Sequence, residues 1–285
     1  MENTKTLETK VIDLMPVEDA IKLFESVQTP PNDALKPIEA GRMKGFTEIN
    51  PLWRMKAMTE KFGLYGEGWK IETTKELDNI AMQVIKDNRA IPTFLGYSGF
   101  PACICTSINS HVVHGIPSED EILKEGDIIA IDVGATYGGM VGDSAWSYEI
   151  GKVTPEVHKL MVTTEESLYA GIEQMRPGNV LDDISKAIEA VANREGYGIV
   201  RQYGGHGVGH VMHEDPFLYN YSVGDKTLIK SNMAIAIEPM LNLGGDDVIV
   251  GSDGWLVKTK DGKPSAHFEH TVIATDDGPL ITTKL

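Results

Sequence analysis

The chain has 285 residues and a mass of 31.2 kDa, which is enough for one large domain or two small ones. Its 26 basic and 42 acidic side chains give a formal charge of −16, and this excess of negative charge argues against a general affinity for nucleic acid or anionic membranes. No apolar run approaches the roughly 20 residues of a membrane-spanning helix. The polar start "MENTKTLETK" and the two closely spaced cysteines, Cys103 and Cys105, favour a cytoplasmic protein.

Helical and strand-like patterns alternate along the chain. Apolar residues at helical spacing predict a helix over "TKELDNIAMQVIKDN", with Thr74 as its cap, and another over "NVLDDISKAIEAVANREG", which Gly196 ends. A third helix is predicted from near Pro155 towards Met175. The strand-like runs are "DIIAIDVG", "GIVRQY", "MAIAIEPM", "WLVKTK" and "HFEHTVIAT". This interleaving favours an α/β or α+β fold over an all-α or all-β fold.

Several of these apolar runs carry a carboxylate where a buried strand is usually apolar. Asp132 and Asp143 belong to the predicted hairpin "IDVGATYGGMVGDSAW", Glu238 follows "MAIAI", and Glu269 lies between Phe268 and His270. A buried carboxylate must be neutralised or paired, because leaving it unpaired costs several kcal/mol. Metal ions could pair all four carboxylates at once.

An imidazole completes this set. His206 in "YGGHGVGH" has glycines on both sides, which would let the backbone approach a bound centre closely. Four carboxylates and one imidazole suit a pair of divalent ions with open positions for water and substrate. Taken singly, each carboxylate is more often a salt-bridged or edge-strand residue, and His206 fits an ordinary turn. The joint pattern favours a binuclear metal site, but it does not name a reaction.

A series of motifs follows in order from about Thr73 to the C-terminus: "TTKELDNIA", "AIPTFLGYSGFPACICTSIN", "VVHGIPS", "GDIIAIDVG", "GGHGVGHVMHEDP", "AIEPM" and "FEHTV". Together they resemble type I methionine aminopeptidases over about three quarters of the chain. The resemblance implies the pita-bread (creatinase/aminopeptidase) fold, an α/β fold whose curved antiparallel sheet is backed by helices. It also places metal ions in the central cleft.

The resemblance assigns a role to each candidate ligand. Asp132 would chelate one ion, Asp143 and Glu269 would bridge both ions, and His206 and Glu238 would complete the shell of the other. Glu238 would also accept a proton from the attacking water and return it to the leaving amine. The cofactors implied are two divalent ions, and Co, Mn, Fe and Zn all accept this ligand set.

The resemblance also implies how the substrate is held. His114 and His213 match two histidines that contact the substrate and its developing tetrahedral centre, although either also fits a surface loop. Tyr97, Cys105 and Trp255 would line a pocket for the methionine side chain, whose thioether suits soft and aromatic surroundings. Cys105 could equally be a buried structural thiol, and the two aromatic residues could be core residues.

A few positions depart from the family pattern. Met212 stands where an aromatic residue is usual, and Met140 and Val141 stand near an aromatic or histidine position, so the methionine pocket could be reshaped. Asn232 replaces a turn glycine, and we expect it to adopt left-handed backbone because asparagine tolerates that conformation. None of these changes removes a candidate ligand.

The implied activity is removal of the initiator methionine from nascent polypeptides, at the ribosome in the cytoplasm, by a monomer. One alternative is a proline-directed peptidase, because creatinase and aminopeptidase P relatives share the five ligands. Those relatives carry a large N-terminal domain for which 72 residues are too few. The other alternative is a non-catalytic binding protein on this scaffold, with single-stranded DNA engaged through the N-terminal segment. Retention of every ligand argues against it.

The first 72 residues are atypical for the family. Only "IEAGRMKG" resembles its first helix, whereas "INPLWRMKAMTEKFGLYGEGWKIE", residues 49–72, resembles the opening of phage single-strand annealing proteins. The charges of that stretch are balanced, so it is not a basic patch. A divergent helix and loop packed over the sheet explains it equally well. We therefore predict an N-terminal segment, 1–72, with "NTKTLETK" mobile, and a catalytic domain, 73–285.

Overall fold

A computed structural model describes residues 72–284 in full and, upstream of them, two short strands. These strands, β1 (Leu35–Pro37) and β2 (Thr47–Ile49), pair antiparallel. The chain divides into two compact units, one of residues 1–70 with Leu285 and one of residues 71–284. The segment "NTKTLETK" and residues 50–71, which carry most of the annealing-protein resemblance, lie outside the described residues. Both interpretations stay predictions.

The first helix of the larger unit, α1 (Thr74–Asp87), begins one residue earlier than its predicted cap implies. The cap is Thr73, whose hydroxyl accepts the Glu76 N–H at 3.2 Å while the Glu76 carboxylate accepts the Thr73 N–H at 3.0 Å. The prediction of Thr74 was wrong because the Thr74 hydroxyl is used elsewhere. It is buried and accepts the Ser118 N–H at 2.8 Å, which ties the helix to a loop.

The other two helices, α2 (Pro155–Ile172) and α3 (Leu181–Glu195), follow the predicted pattern. Thr154 caps α2 and Pro155 is its first residue, where a missing N–H costs nothing. Gly196 ends α3 in the left-handed region with φ of 73°, as predicted. The predicted apolar face of α3 is buried, and its residues are Leu181, Ile184, Ile188 and Val191.

The larger unit contains fifteen strands in its described residues, and all of their pairings are antiparallel. They are β3 (Ile91–Pro92), β4 (Cys105–Ile108), β5 (His111–Val113), β6 (Ile128–Tyr137), β7 (Met140–Glu149), β8 (Gly198–Ile199), β9 (Gly205–Gly207), β10 (Glu214–Leu218), β11 (Ala234–Ile237), β12 (Met240–Asn242), β13 (Val248–Val250), β14 (Val257–Thr259), β15 (Ser265–His267), β16 (His270–Thr275) and β17 (Gly278–Ile281).

Two of the sheets carry the candidate site. One has the strand order β10-β9-β11-β16-β17, and in the other β6 pairs with β3, β4 and β7. Two three-stranded sheets, β15-β12-β8 and β13-β14-β5, complete the unit. The mixture of helices and antiparallel sheets confirms the predicted fold class. Within the described residues, no helix combines the length and the apolar character needed to span a bilayer.

The main core lies between the helices and two sheets, the five-stranded sheet and the three-stranded sheet β15-β12-β8. Leu160 and Leu168 of α2 and Ile188 of α3 are fully buried in one cluster with Ile235 of β11 and Val272 of β16. Burial of each such side chain contributes about 1.5–3 kcal/mol relative to leaving it exposed. This packing fixes β11 and β16, and the candidate carboxylates Glu238 and Glu269 lie at the ends of these two strands.

Candidate active site

The β6–β7 hairpin brings two of the candidate ligands together. Asp132 is paired with Ala145, and Asp143 is paired with Gly134, two residues further along β6. Because side chains two residues apart point to the same face of a strand, both carboxylates lie on one face as diagonal neighbours. Thr271 anchors this end of the hairpin, since its hydroxyl accepts the Asp143 N–H at 3.0 Å and donates to the Asp143 carbonyl at 2.8 Å.

The other two carboxylates come from a second pair of chain segments. Ile237 pairs with His270 at the end of the β11–β16 ladder, and Met240 pairs with His267 in the β12–β15 ladder. Both ladders have the same register, so Glu238 lies opposite Glu269 in the gap between them. Glu269 is 2% exposed, and its N–H donates to the Ala145 carbonyl at 2.8 Å. That bond joins this pair to the hairpin carrying Asp143.

His206 presents its Nε2 to these carboxylates. Its Nδ1 lies 2.9 Å from the Gly207 carbonyl, which can only accept, so Nδ1 carries a proton and Nε2 is the nitrogen available to a metal ion. Nε2 lies 3.5 Å from Asp143 Oδ2 and 3.6 Å from Glu238 Oε1. A hydrogen bond from the other nitrogen is the usual way in which a metal-binding histidine is oriented.

The glycines beside His206 serve the sheet rather than a bound centre. A Cβ at Gly205 would lie 2.1 Å from the Ala236 carbonyl oxygen, and one at Gly207 would lie 2.3 Å from the Asp215 carbonyl oxygen. Both oxygens belong to the strands that flank β9. The sequence predicted that these glycines let the backbone approach a bound centre. That explanation was wrong, because the backbone of the neighbouring strands occupies the space beside them.

The chemistry of these side chains fits divalent metal ions. One oxygen each of Asp132, Asp143 and Glu269 is shielded from solvent and has no hydrogen-bond partner within residues 72–284. Ligand atoms of Asp143, His206 and Glu269 all lie within 4.8 Å of one another. Unsatisfied buried carboxylate oxygens are costly, and a cation would satisfy them together. Hard oxygen ligands with one imidazole suit Mn, Fe, Co or Zn.

The electrostatics of the metal-free site show the same need for positive charge. Burial, followed by the negative charges of Asp143 and Glu238, raises the pKa of both Asp132 and Glu269 well above their ordinary values. Burial would lower the pKa of His206, but the neighbouring carboxylates outweigh it and raise that pKa to about 9. Bound cations would reverse these shifts by stabilising the carboxylates in their charged form.

Two further histidines face this centre from the cavity. His114 adopts left-handed backbone with φ of 61°, a strained conformation for a non-glycine residue. Burial, with smaller contributions from other histidines, lowers its pKa to about 4, so it is neutral at pH 7. The ring of His213 lies 4.2 Å from that of His206, centroid to centroid, and its Nδ1 lies 2.8 Å from the Tyr97 hydroxyl. Burial and the nearby His206 lower the pKa of His213 as well.

The structure brings every predicted site residue to one cavity of about 200 Å³. Its lining includes Asp132, Asp143, His206, Glu238, Glu269, His114, His213, Tyr97, Cys105 and Trp255. Tyr97 is exposed and Trp255 is half-buried, so neither is a plain core aromatic residue. Cys105 is buried in the cavity wall, and burial raises its pKa well above the ordinary value of 9.0. The placement is a finding, whereas the individual roles stay predictions.

The sequence interpretation missed part of the cavity wall. Phe94 and Phe100 pack edge to face at 6.5 Å between ring centroids, and Phe100 packs in the same way against Trp255 at 5.1 Å. They form one apolar cluster with Cys105 and Met212. The run "FLGYSGF", with glycines between aromatic residues, was the available signal, since it predicts a tight turn that places its aromatic rings together.

The turn at Asn232 behaves as predicted. Asn232 has φ of 67°, the left-handed conformation expected where the family carries glycine. Its N–H donates to the Ala274 carbonyl at 2.8 Å, which closes the approach to β11. The departure at this position therefore leaves the strand that leads to Glu238 intact.

The chain matches a known family of metallopeptidases and several of its relatives. The profile of metallopeptidase family M24 matches residues 50–276. Methionine aminopeptidase 1 of Bacillus subtilis (strain 168) is 48% identical over 214 residues, which cover 75% of this chain and 86% of that protein. Methionine aminopeptidase 1 of Mycobacterium tuberculosis is 49% identical over 214 residues, covering 73% of this chain and 80% of that protein.

Solved structures show the same relationship. The methionine aminopeptidase of Rickettsia prowazekii superposes with a TM-score of 0.73 at 43% identity, covering 74% of this chain and 86% of that chain. An X-Pro aminopeptidase of Thermotoga maritima gives a TM-score of 0.59 at 21% identity, over 75% of this chain and 53% of that chain, which is a likeness of fold alone. The fold is thus the pita-bread fold, and the chain belongs to metallopeptidase family M24.

Proposed function

We propose that this protein is a methionyl aminopeptidase, which hydrolyses the first peptide bond of nascent proteins and peptides and releases the N-terminal methionine. The observation that carries the proposal is the convergence of Asp143, His206 and Glu269 within 4.8 Å, beside an apolar and aromatic wall. The two Methionine aminopeptidase 1 relatives, at 48% and 49% identity, support methionine as the residue removed.

Two divalent ions would be held by the five candidate ligands. Asp132 would hold one ion, His206 and Glu238 would hold the other, and Asp143 and Glu269 would serve both. When bound, such ions polarise a carbonyl oxygen and lower the pKa of water towards 7. The two hairpin carboxylates and the opposed pair Glu238 and Glu269 supply enough negative charge for two divalent cations.

Glu238 would move the proton of the reaction. Both Glu238 and Glu269 line the cavity, but the side chain of Glu238 is 13% exposed, whereas that of Glu269 is 2% exposed. A carboxylate that reaches both the cavity and the ligand cluster can take a proton from the attacking water and return it to the leaving amine. Its backbone is steadied by Asn220, whose Nδ2 donates to the Glu238 carbonyl at 3.0 Å.

His213 would stabilise the developing charge on the substrate carbonyl. A phenol donates more readily than a neutral imidazole, so the Tyr97 hydroxyl donates to Nδ1 and leaves the proton of His213 on Nε2. A neutral Nε2–H is a suitable donor to an oxyanion, and the lowered pKa keeps the ring in that form. His114, neutral for the same reason, would contribute a second contact.

The methionine side chain would lie against the apolar wall. Phe100, Cys105, Met212 and Trp255 give this wall a soft, aromatic and sulfur-rich surface, which favours a thioether. Both cysteines are unpaired, which agrees with a cytoplasmic setting for action on nascent chains.

The experiment is release of methionine from Met-Ala-Ser by metal-stripped protein reloaded with Co or Mn, with Met-Pro and Ala-Pro peptides alongside. We expect Met-Ala-Ser to be cleaved, and cleavage to fall by at least about 1,000-fold in Asp143→Asn. Asp276→Asn, an exposed change in the β16–β17 turn, should leave the rate unaltered. Binding of two ions per chain, measured by metal analysis, should accompany activity.

Preferential cleavage of Ala-Pro would assign the proline-directed alternative instead. A folded protein that binds ions but cleaves none of the peptides would contradict the proposed function and support a non-catalytic scaffold.

A further inference from the structure

One imidazole lies behind the candidate ligands and has no part in the roles described above. His267 is the last residue of β15 and pairs with Met240, so it is the diagonal neighbour of Glu238 on the same face. Its side chain is 2% exposed. Its Nε2 is buried and has no hydrogen-bond partner among the described residues. A buried polar atom of this kind needs an explanation.

The surroundings of this nitrogen identify what it could do. Nε2 of His267 lies 3.6 Å from Glu238 Oε2 and 4.0 Å from Glu269 Oε2, and both of these neighbours are carboxylate oxygens. A nitrogen lone pair there would face negative charge, whereas an N–H would face two acceptors. The 3.6 Å between His267 Nε2 and Glu238 Oε2 is longer than a hydrogen bond. A movement of the carboxylate by about 0.6 Å would bring the two atoms within hydrogen-bond distance.

Glu238 consequently lies between two imidazoles. Its Oε1 is 3.6 Å from His206 Nε2, and its Oε2 is 3.6 Å from His267 Nε2. The His206 nitrogen belongs to the cluster of ligand atoms, with Asp143 and Glu269, that lie within 4.8 Å of one another. All five candidate ligands line the cavity, whereas His267 is not part of that lining, which favours a hydrogen-bond donor to the carboxylate over a further metal ligand.

We propose that His267 is a positioning residue that donates a hydrogen bond from Nε2 to Oε2 of Glu238. The bond would stop rotation of the carboxylate, so that Oε1 stays beside His206 and the cavity. Because Glu238 is the group that we propose to move the proton, the inference rests on the proposed function. Groups that orient ligating carboxylates in this way typically contribute 10–100-fold to metal affinity or activity.

The test compares His267→Ala and His267→Gln with wild type. A glutamine amide can reach a similar position and donate from its nitrogen, but it is a poor metal ligand. His270→Gln is the matched control, because His270 is also a buried histidine next to Glu269, yet its ring packs on Trp146 and its Nδ1 contacts Thr283. Each protein is assayed for kcat and KM on Met-Ala-Ser and titrated with Mn.

We expect His267→Ala to lower kcat by about 10–100-fold with KM changed less than about twofold, and to weaken Mn binding by about tenfold at unchanged stoichiometry. His267→Gln should recover kcat and Mn affinity to within about fivefold of wild type. His270→Gln should behave as wild type in both assays.

Three results would overturn the inference. They are wild-type kcat and Mn affinity in His267→Ala, loss of one bound ion in His267→Gln, and equal losses in the His270→Gln control. If wild type cleaves no peptide, the proposed function fails by itself. The Mn titration then decides this inference, since equal affinities in wild type, His267→Ala and His267→Gln would refute it and weaker binding by His267→Ala alone would support it.

Discussion

Glu238 and Glu269 face each other across two strands, at the point where the β11–β16 ladder gives way to the β12–β15 ladder in the same register. Like charges directly opposite each other destabilise a sheet, and one of these carboxylates is 2% exposed. Such a pair lowers the stability of the folded protein when no metal ion is bound. Bound cations would neutralise this pair.

This opposition predicts that Glu269→Gln stabilises the metal-free protein. The change removes one of two opposed carboxylates and supplies an amide donor, so we expect the Tm of the metal-free protein to rise by about 3–6 °C. Excess Mn should raise the Tm of wild type, because binding at 100 times Kd adds about 2.7 kcal/mol, and should leave the variant unchanged. Calorimetry of wild type and variant, with and without Mn, measures both Tm effects. A Tm of the metal-free variant below that of metal-free wild type would contradict the prediction.

The close approach of backbone at β9 predicts that Gly207→Ala is strongly destabilising. The new Cβ would lie 2.3 Å from the Asp215 carbonyl oxygen, so a strand must shift and His206 with it. We expect the Tm to fall by about 5–10 °C, with weaker Mn binding. Gly245→Ala is the control, since its Cβ would meet no atom of the described residues within 4 Å. Equal Tm values for the two variants would show that β9 tolerates the methyl group.

The contact between Tyr97 and His213 predicts a kinetic effect without a structural one. Tyr97→Phe keeps the ring in the cavity wall but removes the hydroxyl that lies 2.8 Å from Nδ1. We expect kcat for Met-Ala-Ser to fall by about 5–10-fold, with KM and Mn stoichiometry unchanged, because the tautomer of His213 is no longer fixed. Tyr203→Phe, which keeps its ring against His114, should have little effect on kcat. A rise in KM without a fall in kcat would contradict the prediction and show that Tyr97 only lines the cavity.

The environment of Asp182 predicts that the stability of the protein depends on pH. Burial would raise its pKa, but hydrogen bonds from Lys186, Gly224 N–H and Ser222 outweigh burial and hold the pKa well below its ordinary value of 3.8. The folded state thus favours the charged carboxylate, so its contribution is complete above pH 3.8 and is lost as the pH falls below that value.

Asp182→Asn should therefore cost about 1.5–3 kcal/mol of unfolding free energy at pH 7, and the gap to wild type should narrow by about 1 kcal/mol at pH 3. Urea titrations at pH 7, 5 and 3 measure this difference in unfolding free energy between the variant and wild type. Lys186→Met, which removes only the half-exposed partner, should cost less than about 1 kcal/mol. A gap that is constant with pH would contradict this account.

Much of the local structure was predictable because it depends on neighbours in sequence. The apolar face of α3 and its end at Gly196 follow from helical spacing and from the left-handed conformation that glycine allows. The cap of α1 was missed by one residue because Thr73 and Thr74 are chemically alike. Only the distant loop at Ser118, which occupies the Thr74 hydroxyl, distinguishes them.

The proposed site residues all line one cavity, and their roles stay predictions. The four carboxylates could be singled out because a carboxylate in an apolar run is expensive to bury without a partner. His114, His213, Tyr97, Cys105 and Trp255 followed only from the family resemblance. The geometry of the site was not predictable. The glycines beside His206 were assigned to a ligand, but they accommodate the carbonyls of Ala236 and Asp215, which belong to strands that become neighbours only in the fold.

The sequence by itself determined the helices, the apolar strands and the types of side chain that could bind metal ions, because propensity, periodicity and burial cost are properties of short stretches. Tertiary structure alone decided that Glu238 opposes Glu269 and that His267 lies behind them. Those relationships depend on the shared register of two ladders between segments about 30 residues apart, and long-range pairing is set by the packing of the whole core.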